Sequence, residues 1–153
     1  MNYIIIEDEQ HNAHLLRSLL DSIEPDFNLL AVFPTVQESV DWFNNNQNPD
    51  IIFMDIRLAD GLSFDIFKQV QITAPVIFTT AYDEYALQAF KVYGAAYLLK
   101  PVLKEDLVEA LEKVMRLYSP VSGDDISAMI EMLKTEHKKY RTRFLLHFRE
   151  TYK

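Results

Sequence analysis

The chain has 153 residues, of which 49% are hydrophobic and 12% aromatic, enough for one buried core of ordinary size and a short extension. It contains no cysteine, which excludes disulfide bonds and zinc sites with thiolate ligands. The early apolar run at residues 3–6 is followed by three acids and is too short for a signal peptide or a membrane span. We therefore expect a cytoplasmic protein without a membrane partner.

Charge is distributed unevenly along the sequence. The net charge of −8 argues against nucleic acid as the partner of most of the chain, because contacts to phosphate need Lys and Arg. Residues 1–133 carry 21 acidic and 8 basic side chains, giving −13, whereas residues 134–153 carry 2 acidic and 7 basic ones, giving +5. The two segments are expected to have different roles.

Five short runs rich in β-branched and aromatic residues predict five strands, separated by segments with apolar residues at helical spacing. The strands are predicted at residues 3–6, 27–32, 51–54, 76–79 and 96–99. Runs without polar alternation are typical of parallel strands that are buried on both faces. The pattern predicts an α/β fold: a doubly wound, five-stranded parallel sheet, flavodoxin-like, with strand order 2-1-3-4-5.

This pattern ends after Ser119, where Pro120, Ser122 and Gly123 interrupt it. A new amphipathic helix can begin at Asp124 or Asp125, and residues 143–148 then form an apolar, strand-like run with too few residues after it to complete a domain. We expect a first domain at residues 1–118, a linker with a helix at 119–140, and the start of a truncated second module at 141–153.

Acidic residues follow two of the predicted strands. Glu7 and Asp8 end the first strand, and Asp55 ends the third. These strands are neighbours in the predicted order, and ligands bind at the carboxyl ends of such strands, so the three acids should share one pocket. Clustered carboxylates hold protons unless a cation neutralises them, and an all-oxygen site suits Mg2+, which we predict as the cofactor.

Two further strands also end in polar residues. Thr79 and Thr80 end the fourth strand, and Lys100 ends the fifth, directly before Pro101. A carboxylate can attack a phosphoryl donor while a metal ion and a lysine stabilise the charge on the phosphoryl oxygens, so Asp55 is the predicted phosphoacceptor. A cis bond before Pro101 would turn the chain sharply and direct the ammonium inward.

Each of these residues has a simpler interpretation when taken alone. A single Asp after a strand is more often a turn or a helix cap, and a single Lys is usually a surface residue. The combination, delivered by four of the five strands, indicates a functional site. Asp60 and Gly61 form a turn signal to which we assign no chemistry.

Residues 1–118 resemble the receiver domains of two-component response regulators. The motifs that carry this resemblance are Glu7-Asp8, the run at residues 51–55 that ends in Asp55, Thr80-Ala81, Tyr97 and Lys100-Pro101. The runs at residues 78–86 and 97–101 are similar to those of receivers joined to LytTR DNA-binding domains, and residues 141–153 resemble the start of such a domain.

The resemblance implies a set of metal ligands. Asp8, Asp55 and the backbone carbonyl of Arg57 would ligate Mg2+, and Glu7 would contribute mainly through a bound water. Glu7 replaces the Asp that is commoner in this family. Thr80 and Lys100 would act with Asp55 in phosphorylation.

The resemblance also implies a switch. A sensor histidine kinase would phosphorylate Asp55, Thr80 would move towards the phosphoryl group, and Tyr97 would fill the vacated space, although a strand aromatic is usually core packing. The surface of the fourth helix, fifth strand and fifth helix would change and control homodimerisation. The apolar helix predicted at residues 83–93 fits either a dimer face or deep packing.

The implied output is transcription, with DNA contacted only through a LytTR-type domain that this chain lacks. Apart from phosphorylation and dephosphorylation of Asp55, no enzymatic turnover is expected.

Three other classes of protein share some of these features. A haloacid dehalogenase-type hydrolase needs a second acid two residues after the nucleophile, where this chain has Arg57. A flavodoxin-like FMN carrier needs a first loop that binds phosphate, which Glu7 and Asp8 would repel. A pseudo-receiver, which binds partners without phosphorylation, is disfavoured by the complete set of site residues and remains open to experiment.

Overall fold

A parallel sheet forms the centre of the molecule. The structure is a computed structural model that describes residues 1–81 and 94–117. The strands of this sheet are β1 (Asn2–Ile6), β2 (Asn28–Phe33), β3 (Ile51–Asp55), β4 (Val76–Thr80) and β5 (Gly94–Leu99). Their order in the described residues is β2-β1-β3-β4-β5, and all neighbouring pairs are parallel. The predicted fold class and strand order are confirmed.

Helices connect the strands of the sheet. In the described part of the chain they are α1 (Gln10–Ile23), α2 (Val36–Asn45), α3 (Phe64–Gln69) and α4 (Lys104–Leu117). A short hairpin of two antiparallel pieces, Arg57–Leu58 and Gly61–Leu62, lies between β3 and α3. The predicted helix at residues 83–93, the linker at 119–140 and the module at 141–153 lie outside the described residues, so α4 is the fifth helix of the sequence prediction.

Two buried clusters cover the two faces of the sheet, because successive side chains of a strand point to opposite sides. In β1, Tyr3 and Ile5 pack in the cluster with α1 and α4, whereas Ile4 and Ile6 pack in the cluster with α2 and α3. All four side chains are at most 1% exposed. Burial on both faces explains why the strands read as continuous apolar runs.

The parallel register brings the carboxyl ends of the strands to one edge. Ile6 pairs with Phe33 of β2 on one side and with Met54 of β3 on the other, and Asp55 pairs with Thr79 of β4. The residues that follow these pairs therefore begin loops at the same edge of the sheet. None of the helices in the described residues has the length and hydropathy needed to cross a membrane.

Candidate functional site

Three carboxylates meet at the carboxyl edge of the sheet. Glu7 and Asp8 follow β1, Asp55 ends β3, and each contributes an oxygen that lies within 4.8 Å of the others. Glu7 and Asp55 are buried, whereas Asp8 is exposed. The structure thus brings together the three acids that the sequence placed at neighbouring strand ends.

Lys100 lies between two of these acids. Its Nζ donates a hydrogen bond to Asp55 Oδ2 at 2.9 Å and another to Glu7 Oε1. The backbone N–H of Lys100 donates to Thr80 O at 2.8 Å, and the following bond to Pro101 is cis. Burial alone would lower the pKa of the Lys100 ammonium, but its bonds to Glu7 and Asp55 outweigh burial and raise that pKa. The lysine therefore stays charged.

The surroundings of the Glu7 carboxyl group disfavour its charged form. Burial raises its pKa to about 7, the nearby charge of Asp55 acts in the same direction, and Lys100 opposes the shift. Among the described residues, the site holds Glu7, Asp8, Asp55 and one ammonium. Charge excess of this kind fits a site that is completed by a cation.

Asp55 is held at both carboxylate oxygens. Its Oδ1 accepts a hydrogen bond from the backbone N–H of Ile56 at 2.7 Å, and its Oδ2 accepts from Lys100. One contact comes from the next residue of the chain and the other from the end of β5. Together they define the orientation of this carboxylate. The geometry suits a nucleophile that needs a fixed direction of attack.

Thr80 ends β4, the strand beside that of Asp55, and Tyr97 lies in β5, one strand further on. Thr80 is fully buried at the end of β4, one position beyond the Thr79 that pairs with Asp55. Tyr97 pairs with Phe78 in the sheet and is 8% exposed within the cluster on the α2 and α3 face. Their switching roles stay predictions.

Arg57 begins the hairpin two residues after Asp55. The hairpin pairs Arg57 with Leu62, and its base is closed by a bond from Ser63 N–H to Ile56 O at 2.8 Å. The Arg57 side chain is exposed. Its backbone is therefore tied to the strand end that carries Asp55, while its role as a metal ligand stays a prediction.

Sequence reasoning missed two contacts near the site. The bond between Lys100 and Glu7 joins residues 93 positions apart, and no local pattern could have indicated it. The sequence indicates only a turn at Asp60, yet its carboxylate accepts hydrogen bonds from the backbone N–H groups of Val36 and Gln37. A turn accounts fully for an Asp-Gly pair in a sequence, so the pair gives no indication that Asp60 also bonds to α2.

Comparison with known families identifies the domain. The model of the response regulator receiver domain matches residues 3–112 of the chain. The chain belongs to this family. Receiver domains of response regulators are generally non-enzymatic signalling domains of two-component systems. They interact with sensor histidine kinases.

Curated relatives of this receiver domain include longer regulators. Sensory transduction protein LytT of Bacillus anthracis is 29% identical over 143 residues, which cover 87% of this chain and 57% of LytT. The positive alginate biosynthesis regulatory protein of Pseudomonas aeruginosa is 38% identical over 120 residues, which cover 76% of this chain and 48% of that protein. The chain spans about half the length of these relatives. The relatives named LytT confirm the predicted resemblance to receivers of LytTR-type regulators.

Solved structures show the same fold. The response regulatory domain of protein mrkE from Klebsiella pneumoniae matches with a TM-score of 0.66 and 27% identity, over 76% of this chain and 96% of that one. The N-terminal domain of a response regulator/sensory box/GGDEF protein from Carboxydothermus hydrogenoformans matches with a TM-score of 0.67 and 25% identity, over 77% and 96% of the two chains.

Proposed function

We propose that this receiver domain accepts a phosphoryl group on Asp55 from a partner histidine kinase, with Mg2+ as cofactor. The observation that carries the proposal is the meeting of Glu7, Asp8 and Asp55 around the single ammonium of Lys100 in the described site. Three carboxylates against one ammonium leave a negative charge that a divalent cation would neutralise.

The residues present fit Mg2+. Asp8, Asp55 and the backbone carbonyl of Arg57 would hold the ion, and Glu7 would act mainly through a bound water. Asp8 is exposed and can take up an ion from solvent. The indirect role of Glu7 is what the resemblance to receiver domains implies. Bound Mg2+ would supply charge neutralisation for the acids and the phosphoryl oxygens.

The chain's own groups carry the transfer step. An oxygen of Asp55 attacks the phosphorus of the donor's phosphohistidine and a P–O bond forms. The P–N bond breaks, its electron pair passes to the imidazole nitrogen, and the ring takes up a proton from solvent so that it leaves as neutral imidazole. Ile56 N–H keeps the carboxylate oriented. Lys100 releases Asp55 Oδ2 and pairs with a phosphoryl oxygen instead, since its ammonium stays charged.

Thr80 and Tyr97 would read out the new phosphoryl group. Thr80 is adjacent to the Asp55–Thr79 pair, and its carbonyl is bonded to the backbone of Lys100, so a shift of Thr80 would reach β4 and β5 together. Tyr97 in β5 would move into the space that Thr80 leaves. The face of the predicted helix at residues 83–93, β5 and α4 would then change and control homodimerisation.

The output of the switch would be transcription. Residues 1–118 would form the receiver, residues 119–140 a linker with an amphipathic helix, and residues 141–153 the start of a LytTR-like DNA-binding domain. DNA would be contacted only through that output domain. Sequence similarity to proteins named LytT supports this assignment.

The proposal is tested by intact mass after incubation with acetyl phosphate and Mg2+, or by BeF3− titration if the adduct is short-lived. Wild type should gain one phosphoryl group, and Asp55→Asn should gain none. Asp50→Asn is a matched control, because Asp50 lies just before β3 whereas Asp55 ends the same strand. This control should be phosphorylated like wild type.

Two results would contradict the proposal. An adduct on Asp55→Asn would place the phosphoacceptor elsewhere. Absence of both phosphorylation and BeF3− binding in wild type would replace the proposed mechanism with a pseudo-receiver that works by partner binding alone.

A further inference from the structure

The short segment from Phe33 to Gln37 contacts both loops that carry the proposed metal ligands. On one side, the backbone N–H of Glu7 donates to Phe33 O at 2.9 Å, which ties this segment to the loop with Glu7 and Asp8. On the other side, the first N–H groups of α2 are bonded to Asp60, in the hairpin that begins with Arg57. The segment therefore lies as a bridge between two loops that are distant in sequence.

Asp60 makes the second connection of this bridge with both carboxylate oxygens. Oδ1 accepts from Val36 N–H at 2.7 Å, and Oδ2 accepts from Gln37 N–H at 3.1 Å. A carboxylate at a helix N-terminus is also favoured by the helix dipole. The neighbouring Gly61 has φ +146°, which side-chain-bearing residues rarely adopt, so the hairpin turns tightly where it meets α2.

Helix α2 already has a cap of its own, so Asp60 is not required to begin it. Thr35 Oγ1 accepts a hydrogen bond from Glu38 N–H at 3.1 Å and donates to the Glu38 carboxylate at 3.2 Å. Thr35 acts within one segment, whereas Asp60 joins residues 23 and 24 positions away in the sequence. The distinctive effect of the Asp60 contact is to hold the tip of the hairpin.

We propose that Asp60 is a positioning residue for the metal site: by fastening the hairpin tip to α2, it holds the Arg57 carbonyl at a fixed place relative to Asp8. The hairpin is then held at both ends, at its base by the bond from Ser63 N–H to Ile56 O and at its tip by Asp60. Arg57 lies between these two points. The inference rests on the proposed Mg2+ site.

The test compares Mg2+ binding by the 153-residue chain and its variants, using calorimetry and the fluorescence of the single tryptophan. Trp42 is a suitable probe because it lies on α2 and packs against Phe33 and Phe43, with ring centroids 5.7 and 5.2 Å away. Asp60→Ala should raise the Kd for Mg2+ about tenfold, the lower end of the effect of losing support around metal ligands.

Two further variants separate positioning from simple helix capping. Thr35→Ala removes the local cap of α2 and should lower the urea midpoint while the Kd for Mg2+ stays that of wild type. Asp60→Asn keeps one acceptor oxygen and should give a Kd between those of wild type and Asp60→Ala. If Asp60→Ala weakened Mg2+ binding only by unfolding the chain, Asp60→Asn would not be expected to recover part of the affinity.

The outcomes distinguish the inference from the proposed function. Equal Kd values for wild type and Asp60→Ala would overturn the positioning role and leave the metal site standing. If Thr35→Ala and Asp60→Ala weakened Mg2+ binding equally, Asp60 would act only as a helix cap. That result would also overturn the positioning role. A wild-type chain that binds no Mg2+ would remove the proposed metal site and the inference together.

Discussion

The polar groups at the two ends of the sheet differ in their exposure to water. At the amino end, Asn2 N–H donates to Asp50 Oδ2 at 2.7 Å, Asp50 N–H donates to Asn2 O at 2.9 Å, and the Asn28 side chain donates to Asn2 Oδ1 at 3.3 Å. These residues are exposed, and the Asp50 carboxylate needs no cation. At the carboxyl end, Glu7 and Asp55 are 5% and 7% exposed, and they share the ammonium of Lys100.

The difference separates an exposed, hydrogen-bonded end of the sheet from an end that buries carboxylates. Hydrogen bonds in contact with water each stabilise the amino end modestly and leave no charge uncompensated. Buried carboxylates in excess over cations cost free energy, which only a bound cation or a proton can recover. The carboxyl end of the sheet therefore holds more buried carboxylates than ammonium groups among the described residues.

The largest change in the free energy of unfolding should come from removing the Lys100 ammonium at the carboxyl end of the sheet. In metal-free protein at pH 8, Lys100→Met should lower the free energy of unfolding by about 3 kcal/mol, because Glu7 and Asp55 are left buried without a cation. Urea denaturation measures the change.

Lys68 provides a matched control on the surface. Its ammonium lies 3.3 Å from Asp65, and both side chains are at least half exposed. Lys68→Met should cost less than about 0.5 kcal/mol, as exposed ion pairs contribute little. A loss for Lys100→Met as small as that would show that water already screens the carboxyl end.

The second effect is a pH dependence that originates at Glu7. With its pKa raised to about 7 in the folded, metal-free chain, Glu7 binds more protons folded than unfolded. Its contribution to stability is complete below its ordinary pKa and is lost as pH rises through 7. Between pH 5 and 8 the free energy of unfolding should fall by about 2 to 3 kcal/mol from this group.

Denaturation of Glu7→Gln over the same pH range is the control. This variant cannot titrate at position 7, so the fall between pH 5 and 8 should be much smaller than in wild type. A wild-type curve and a Glu7→Gln curve with the same slope would assign the pH dependence to another group.

The smallest effect is expected at the amino end. Asp50→Ala removes the acceptor of the Asn2 N–H and should lower the free energy of unfolding by about 1 kcal/mol. Mg2+ should raise the melting temperature of Asp50→Ala by the same amount as that of wild type, as measured with and without the ion. A variant that lost its response to Mg2+ would show that the two ends are coupled.

The fold was predictable because its signals are local. Apolar runs without alternation mark strands buried on both faces, and the observed β2 (Asn28–Phe33) and β5 (Gly94–Leu99) lie within two residues of their predicted positions. The meeting of Glu7, Asp8 and Asp55 followed from the strand order, since the carboxyl ends of neighbouring parallel strands share one edge. These conclusions need only the pattern of residues along each element.

The contacts that tune the site were not predictable in this way. Lys100 donates to Glu7 as well as to Asp55, and the pKa of Glu7 rises because its side chain is buried. Asp60, in the connection between β3 and α3, accepts hydrogen bonds from the first residues of α2. Each depends on the depth of a side chain and on a partner far away in the sequence. The residue types alone are compatible with ordinary turns and surface charges, so only packing in three dimensions assigns them these partners.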